Sequence, residues 1–122
     1  LPYRTNSILI PELAEYLTSF GIVPETVKVE DVSVLEAQGT AETGYHIHRA
    51  VIHVDALGTM EDLYRLLDWA YDRDWISVTA YSRNSMGDKE AGANETLSMT
   101  VTCFMLELKS ANEANNADEP KS

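Results

Sequence analysis

The same order of elements occurs twice along this chain, and that duplication limits its folds more than any other feature. Leu13-Ala14-Glu15-Tyr16-Leu17 belongs to an amphipathic stretch followed by two β-like runs, and from Leu63 the order helix, strand, strand returns. Leu13 and Leu63 lie 50 positions apart, as do His46 and Thr96, where two of the runs begin. A repeat of this length predicts a domain made of two αββ halves, each too small to bury its apolar face alone.

With 122 residues, the chain fits one domain, long enough for a real core and too short for two. Residues 1–108 are read as that domain and residues 109–122 as a disordered acidic and polar tail, because Ser110 to Ser122 hold too little apolar content to offset the entropy of ordering. A mean hydropathy of −0.22 does not describe a membrane-rich chain, and no run approaches the roughly 20 apolar residues that span a bilayer. The start at Leu1 reads as a cut, not as a native beginning. A formal charge of −11 argues against nucleic acid, which binds through clustered Lys and Arg that replace counterions. The acidic residues are spread out and read as solvated surface. One cysteine, Cys103, supports neither an internal disulfide nor a zinc site of its own.

The first helix is expected from Ser7 to Phe20, with Leu9, Leu13, Tyr16, Leu17 and Phe20 on one side at helical spacing. Pro11 falls near its start, Gly21 can take the left-handed conformation that ends it, and Pro24 prevents its resumption. For the second helix Thr59 is the cap and Asp62 the acidic half of a capping box. Met60, Leu63, Leu66, Leu67, Ala70 and Tyr71 form its apolar face, with Trp69 on a flank.

Four strands complete the pattern: Val27 to Leu35, whose alternation slips at Asp31 and predicts a bulge, then His46 to Leu57, Trp75 to Arg83 and Thr96 to Leu108. Sequential strands joined by the loops Gly39 to Gly44 and Gly87 to Ala93 should be antiparallel neighbours, and a right-handed crossover through the second helix joins the halves. The predicted fold is α+β and ferredoxin-like in permuted form, a duplicated αββαββ chain. Its four-stranded antiparallel sheet, in the order 3-4-2-1, is covered on one face by two helices. Ile47, Arg49, Val51 and His53 should then face outward with Thr100, Thr102, Phe104 and Tyr81, a mixed surface suited equally to a dimer face or to solvent. The strands at Val27 and Trp75 become edges, where another chain can add.

Candidate chemistry is sparse. His46 and His48 share one side of a strand and could supply two imidazoles to a metal, but without a nearby cysteine they read as structural or surface histidines. His53 has the opposite parity. Cys103 sits mid-strand among Leu97, Met99, Val101 and Met105 as an inert thiol. No Gly-x-Ser-x-Gly elbow is present, and Gly87 and Gly92 lack the strand-to-helix setting of a phosphate cradle. No catalytic residue, cofactor or metal is expected.

Several segments carry a family resemblance. Leu1-Pro2, a helix ending Phe20-Gly21-Ile22, two strands, and the turn Ala56-Leu57-Gly58 leading to Leu63-Tyr64-Arg65-Leu66-Leu67-Asp68-Trp69 resemble the soluble domain of PilO, a type IV pilus assembly protein. Trp75-Ile76-Ser77-Val78 and the final strand from Leu97 to Phe104 continue it, so it covers about Leu1 to Leu108. The resemblance implies a non-enzymatic part of an alignment subcomplex. Family members are anchored in the cytoplasmic membrane by an N-terminal segment that this sequence does not contain, and they project this domain outside the cytoplasm. There it pairs with itself or with a PilN-like partner. Contacts are expected through Val27, Val29, Val32 and Val34 of the first strand, or through the flank carrying Tyr64 and Trp69. The M component of type II secretion is similar in architecture. The rival reading is an ACT-like regulatory domain that binds a small molecule. ACT domains begin with a strand and carry a glycine-containing ligand loop before the first helix, whereas this chain begins with a helix. A metal-handling domain would require a Cys-x-x-Cys that is missing.

Overall fold

Two long strands form the centre of the molecule, and everything else is placed by which of their faces is apolar. The computed structural model describes residues 1–35, 44–82 and 94–108. Its elements are α1 (Asn6–Ser19), β1 (Val23–Leu35), β2 (Tyr45–Gly58), α2 (Met60–Tyr71), β3 (Ile76–Ser82) and β4 (Glu95–Leu108). The protein is α+β, with one four-stranded antiparallel sheet in the order β1-β2-β4-β3 and two helices. That order is the one expected from the strand sequence, read from the opposite edge. The two hairpin loops lie outside the described residues except for Gly44, and so does the expected tail.

β2 and β4 pair without a register break from Tyr45↔Leu108 to Gly58↔Glu95. Side chains alternate between faces along a strand, so Ala50, Ile52, Val54 and Ala56 of β2 share one face with Leu97, Met99, Val101, Cys103 and Met105 of β4. All nine are buried. Leu9, Leu13 and Leu17 of α1 and Leu63, Leu66 and Ala70 of α2 close over them in a single cluster. Leu9, Leu13 and Leu17 recur every four residues, which keeps them on one side of the helix.

The exact 50-residue offset does not extend into the strands. Leu13 and Leu63 are both core residues, but Ala50 faces the helices whereas Thr100, fifty positions on, pairs with His53 on the opposite face. Buried positions in β2 and β4 correspond at an odd offset, as Ile52 and Val101 do.

β1 carries the expected bulge, with register breaks between Val29 and Asp31 and also between Pro24 and Thr26. An extra residue at a bulge resets the alternation, and here it keeps Val27, Val29, Val32 and Val34 all on the helix-side parity. Pro11 lies in the second turn of α1, not at its start, so Ser7 loses the amide that would normally bond its carbonyl. On α2, Tyr71 is 88% exposed and does not belong to the apolar face assigned to it.

The helices meet end to start. Gly21 has φ +88°. The Gly21 and Ile22 amides donate to the carbonyls of Thr18 and Leu17, a Schellman ending in which Leu17 and Ile22 are both buried. A Cβ on Gly21 would lie 2.9 Å from Oδ2 of Asp62. Asp62 completes a capping box with Thr59 at the start of α2, and the Arg65 guanidinium donates both to Asp62 and, at 3.2 Å, to the Phe20 carbonyl. Behind this junction Trp69 packs between the helices and the start of β3, with ring centroids 5.1 Å from Tyr16, 5.7 Å from Phe20 and 5.7 Å from Trp75. Arg73 lies over its ring at 4.4 Å.

The N-terminus adds a short parallel bridge that sequence patterning did not reveal. β3 begins opposite Cys103, and farther along β4 Leu106 donates to the Leu1 carbonyl while Tyr3 donates to the Leu106 carbonyl.

Gly21→Ala is expected to cost about 1–3 kcal/mol in urea denaturation, combining a left-handed backbone with a contact on Asp62. The Asp62 junction also makes stability pH-dependent. Burial opposes ionisation of this carboxyl, but Arg65 and the Thr59 hydroxyl and amide together hold its pKa below the ordinary 3.8. A depressed carboxyl stabilises the fold above its unfolded pKa, and that contribution fades as pH falls through the folded value. The stability advantage of the native chain over Asp62→Asn should therefore be constant above about pH 5 and shrink below about pH 4.

Candidate functional site

The sheet face turned away from the helices is the largest feature whose side chains no described element covers. Register assigns its rows across β1, β2, β4 and β3. Thr26, Asp55, Ser98 and Tyr81 form one row, and Lys28, His53, Thr100 and Thr79 the next. Asp31, Val51, Thr102 and Ser77 follow, then Ser33, Arg49 and Phe104, then Leu35, Ile47 and Leu106, and finally Tyr45 and Leu108. The face is thus graded from polar to apolar along the strands. The outward residues expected from sequence, Ile47, Arg49, Val51, His53, Thr100, Thr102, Phe104 and Tyr81, are all on it.

The polar end holds a hydrogen-bonded group. His53 Nε2 lies 3.2 Å from Asp55 Oδ1 and 3.5 Å from Ser98 Oγ, and the Thr26 hydroxyl donates to Asp55 at 3.1 Å. The residue types are those of a hydrolytic triad, but the geometry is not. A triad histidine takes the serine proton on one nitrogen and is held by the carboxylate through the other. Here both neighbours lie against the same nitrogen, so the imidazole cannot relay a proton between them.

At the other end, on the helix side, His46 and His48 are together as expected, with ring centroids 6.4 Å apart. His48 bonds Glu107 at 2.8 Å and stacks on Tyr3 at 4.1 Å. That ring ties the N-terminal bridge to the central strands. No group of three metal-ligating side chains occurs among the described residues.

The sequence-derived interface residues separate into two kinds. Val27 and Val29 turn into the core and Trp69 into the aromatic cluster, all half-buried. Val32 and Val34 are 49% and 50% exposed beyond the reach of the helices, and Tyr64 is 63% exposed on the outer side of α2. The β1 edge is blunted in its first part by two register breaks and by Glu25, Lys28, Glu30 and Asp31, devices that discourage strand addition. Its last four residues, Val32 to Leu35, carry no charge. Sequence reasoning named this strand but could not separate its blunted part from its open part, because that depends on where the helices stop.

The fold and this surface define a small α+β domain with a one-sided helical cover. Comparison of the chain with protein-family models, with curated proteins and with solved structures returns no match.

Cys103 is buried, and burial pushes its thiol up to about 11. Because the thiolate is the reactive form, the folded protein at pH 8 should react with a thiol-specific disulfide reagent at least about 100-fold more slowly than the urea-unfolded chain. Equal rates would remove Cys103 from the core.

Proposed function

We propose that this chain is a non-enzymatic assembly domain of the PilO type. Its fold is read as ferredoxin-like, with αββ halves of one helix and two strands each, although the two halves depart from an exact repeat. The sheet order supports this: the second strands, β2 and β4, lie side by side at the centre and the first strands, β1 and β3, lie at the edges. In this reading the protein serves the alignment subcomplex of a type IV pilus, outside the cytoplasm, and reaches the membrane only through a segment not contained in this sequence. The M component of type II secretion is the neighbouring alternative within the same architecture.

The observation that carries the proposal is the uncharged end of the β1 edge, where Val32 and Val34 stand half exposed next to unpaired backbone groups. A PilN-like partner would add there by backbone pairing, with the valines supplying apolar contact.

The test is a titration of this domain with the soluble domain of a PilN-like protein from the same source, followed by calorimetry. Val32→Lys together with Val34→Lys should weaken the complex by about tenfold or more, since two charges would be placed against an apolar contact. Unchanged affinity, or no binding by the native domain, would refute the edge as the partner site.

A further inference from the structure

We propose that the free edge of β3 takes up a short extended segment of another protein, apolar at alternate positions and flanked by lysine or arginine, as an added antiparallel strand. Backbone phase comes first. The Phe104 amide donates to the Trp75 carbonyl at 2.8 Å, so Trp75 and Phe104 are a hydrogen-bonded pair. Hydrogen-bonded and non-bonded pairs alternate along an antiparallel ladder, and the register therefore turns the amides and carbonyls of Ile76, Val78 and Ala80 away from β4. No described segment bonds to them. β3 also lacks the devices that blunt β1, since its seven residues carry no charge and no proline and its register has no break.

The surface beside this edge is in phase with it. Directly paired residues of neighbouring strands place their side chains on the same face, so residues added opposite Ile76 and Val78 would point to the helix side. There Leu67, Ala70 and Tyr71 of α2 stand across from Ile76 and Val78 over a groove of about 530 Å³, closed at the turn between α2 and β3 by Asp74. Ligand clefts of about 300–1,000 Å³ are typical. Leu67 and Tyr71 continue along α2 to Tyr64, and the two tyrosines are 63% and 88% exposed. Aromatic rings with a polar tip are favoured at contact surfaces. The rings that the core leaves uncovered thus form the wall that would receive the added side chains.

Charge selects the occupant. The chain carries a formal −11, and Glu61, Asp68 and Asp74 are exposed around the groove. The two arginines nearby are engaged within the domain, Arg65 by Asp62 and Arg73 by the Trp69 ring and carbonyl. An acidic segment, or a second copy of this chain, would meet charge of its own sign, whereas a basic segment is drawn in.

This site does not rest on the pilus reading, and it lies on the sheet edge opposite β1. Fluorescence anisotropy with the labelled peptide Lys-Lys-Val-Thr-Val-Thr-Val-Lys-Lys tests it, with circular dichroism confirming that each variant is folded. The native domain should bind it saturably below millimolar concentration, and at least about tenfold more tightly than the same peptide with glutamates for lysines. Methylating the central valine amide, which would bond to β3, should weaken binding by about tenfold or more, while methylating a threonine amide, which would point away, should change it by less than about threefold. Tyr71→Ala and Asp68→Lys should each weaken binding by about fivefold or more. Val32→Lys with Val34→Lys should leave peptide binding intact while weakening that of a PilN-like domain, so failure of one proposal is distinguishable from failure of the other. Absence of saturable binding up to millimolar peptide overturns the inference. So does equal binding of the glutamate peptide, an equal response to methylation at valine and threonine, or loss of binding through the β1 substitutions.

Discussion

The pairing of β2 with β4 is the constraint on which the rest of the structure depends. Fourteen consecutive residues of each strand are matched with no bulge. A slip of one residue would send Ile52, Val54, Val101 and Met99 to the opposite face together, so one register decides the core and the exposed surface at once. Burying a single side chain such as Ile52 is worth about 1.5–3 kcal/mol, and nine positions on these two strands are held this way. Both helices are amphipathic enough to cover that face and no more, which leaves the other face with nothing above it.

The helices depend on one another as well as on the sheet. α1 ends in a left-handed Gly21 that fits against Asp62, and Arg65 joins the α2 cap to the Phe20 carbonyl at the end of α1. The end of one helix and the start of the next are therefore a single electrostatic unit. Trp69 belongs to the same junction, stacked among Tyr16, Phe20 and Trp75. Its role as a bridge between helices accounts for a large aromatic on a helix flank without calling on a partner.

Much of this was legible in the sequence because it follows from local rules. The Thr59 and Asp62 cap, the Gly21 ending, the bulge near Asp31 and the outward set from Ile47 to Phe104 all come from spacing and residue type. What was not legible depends on tertiary reach. Tyr71 fits the apolar stripe of α2 on paper, but the stripe runs past the end of the sheet it covers. Val27 and Val34 share a parity, yet only Val34 extends beyond the helices. Leu1 to Tyr3 are too few for any periodicity, and the gap they fill on β4 exists only because β3 is short. The 50-residue offset counts chain length, whereas side-chain parity depends on whether an offset is odd or even.

A sheet covered by helices on one side only, with an uncharged end to its β1 edge, is the feature on which the proposed assembly role rests. The most direct measurement of that role is amide hydrogen exchange of the native domain, alone and with a PilN-like domain added. The account predicts slowed exchange in β1 on addition of the partner. Protection gained on the outer surfaces of α1 and α2, with the strands unchanged, would contradict it.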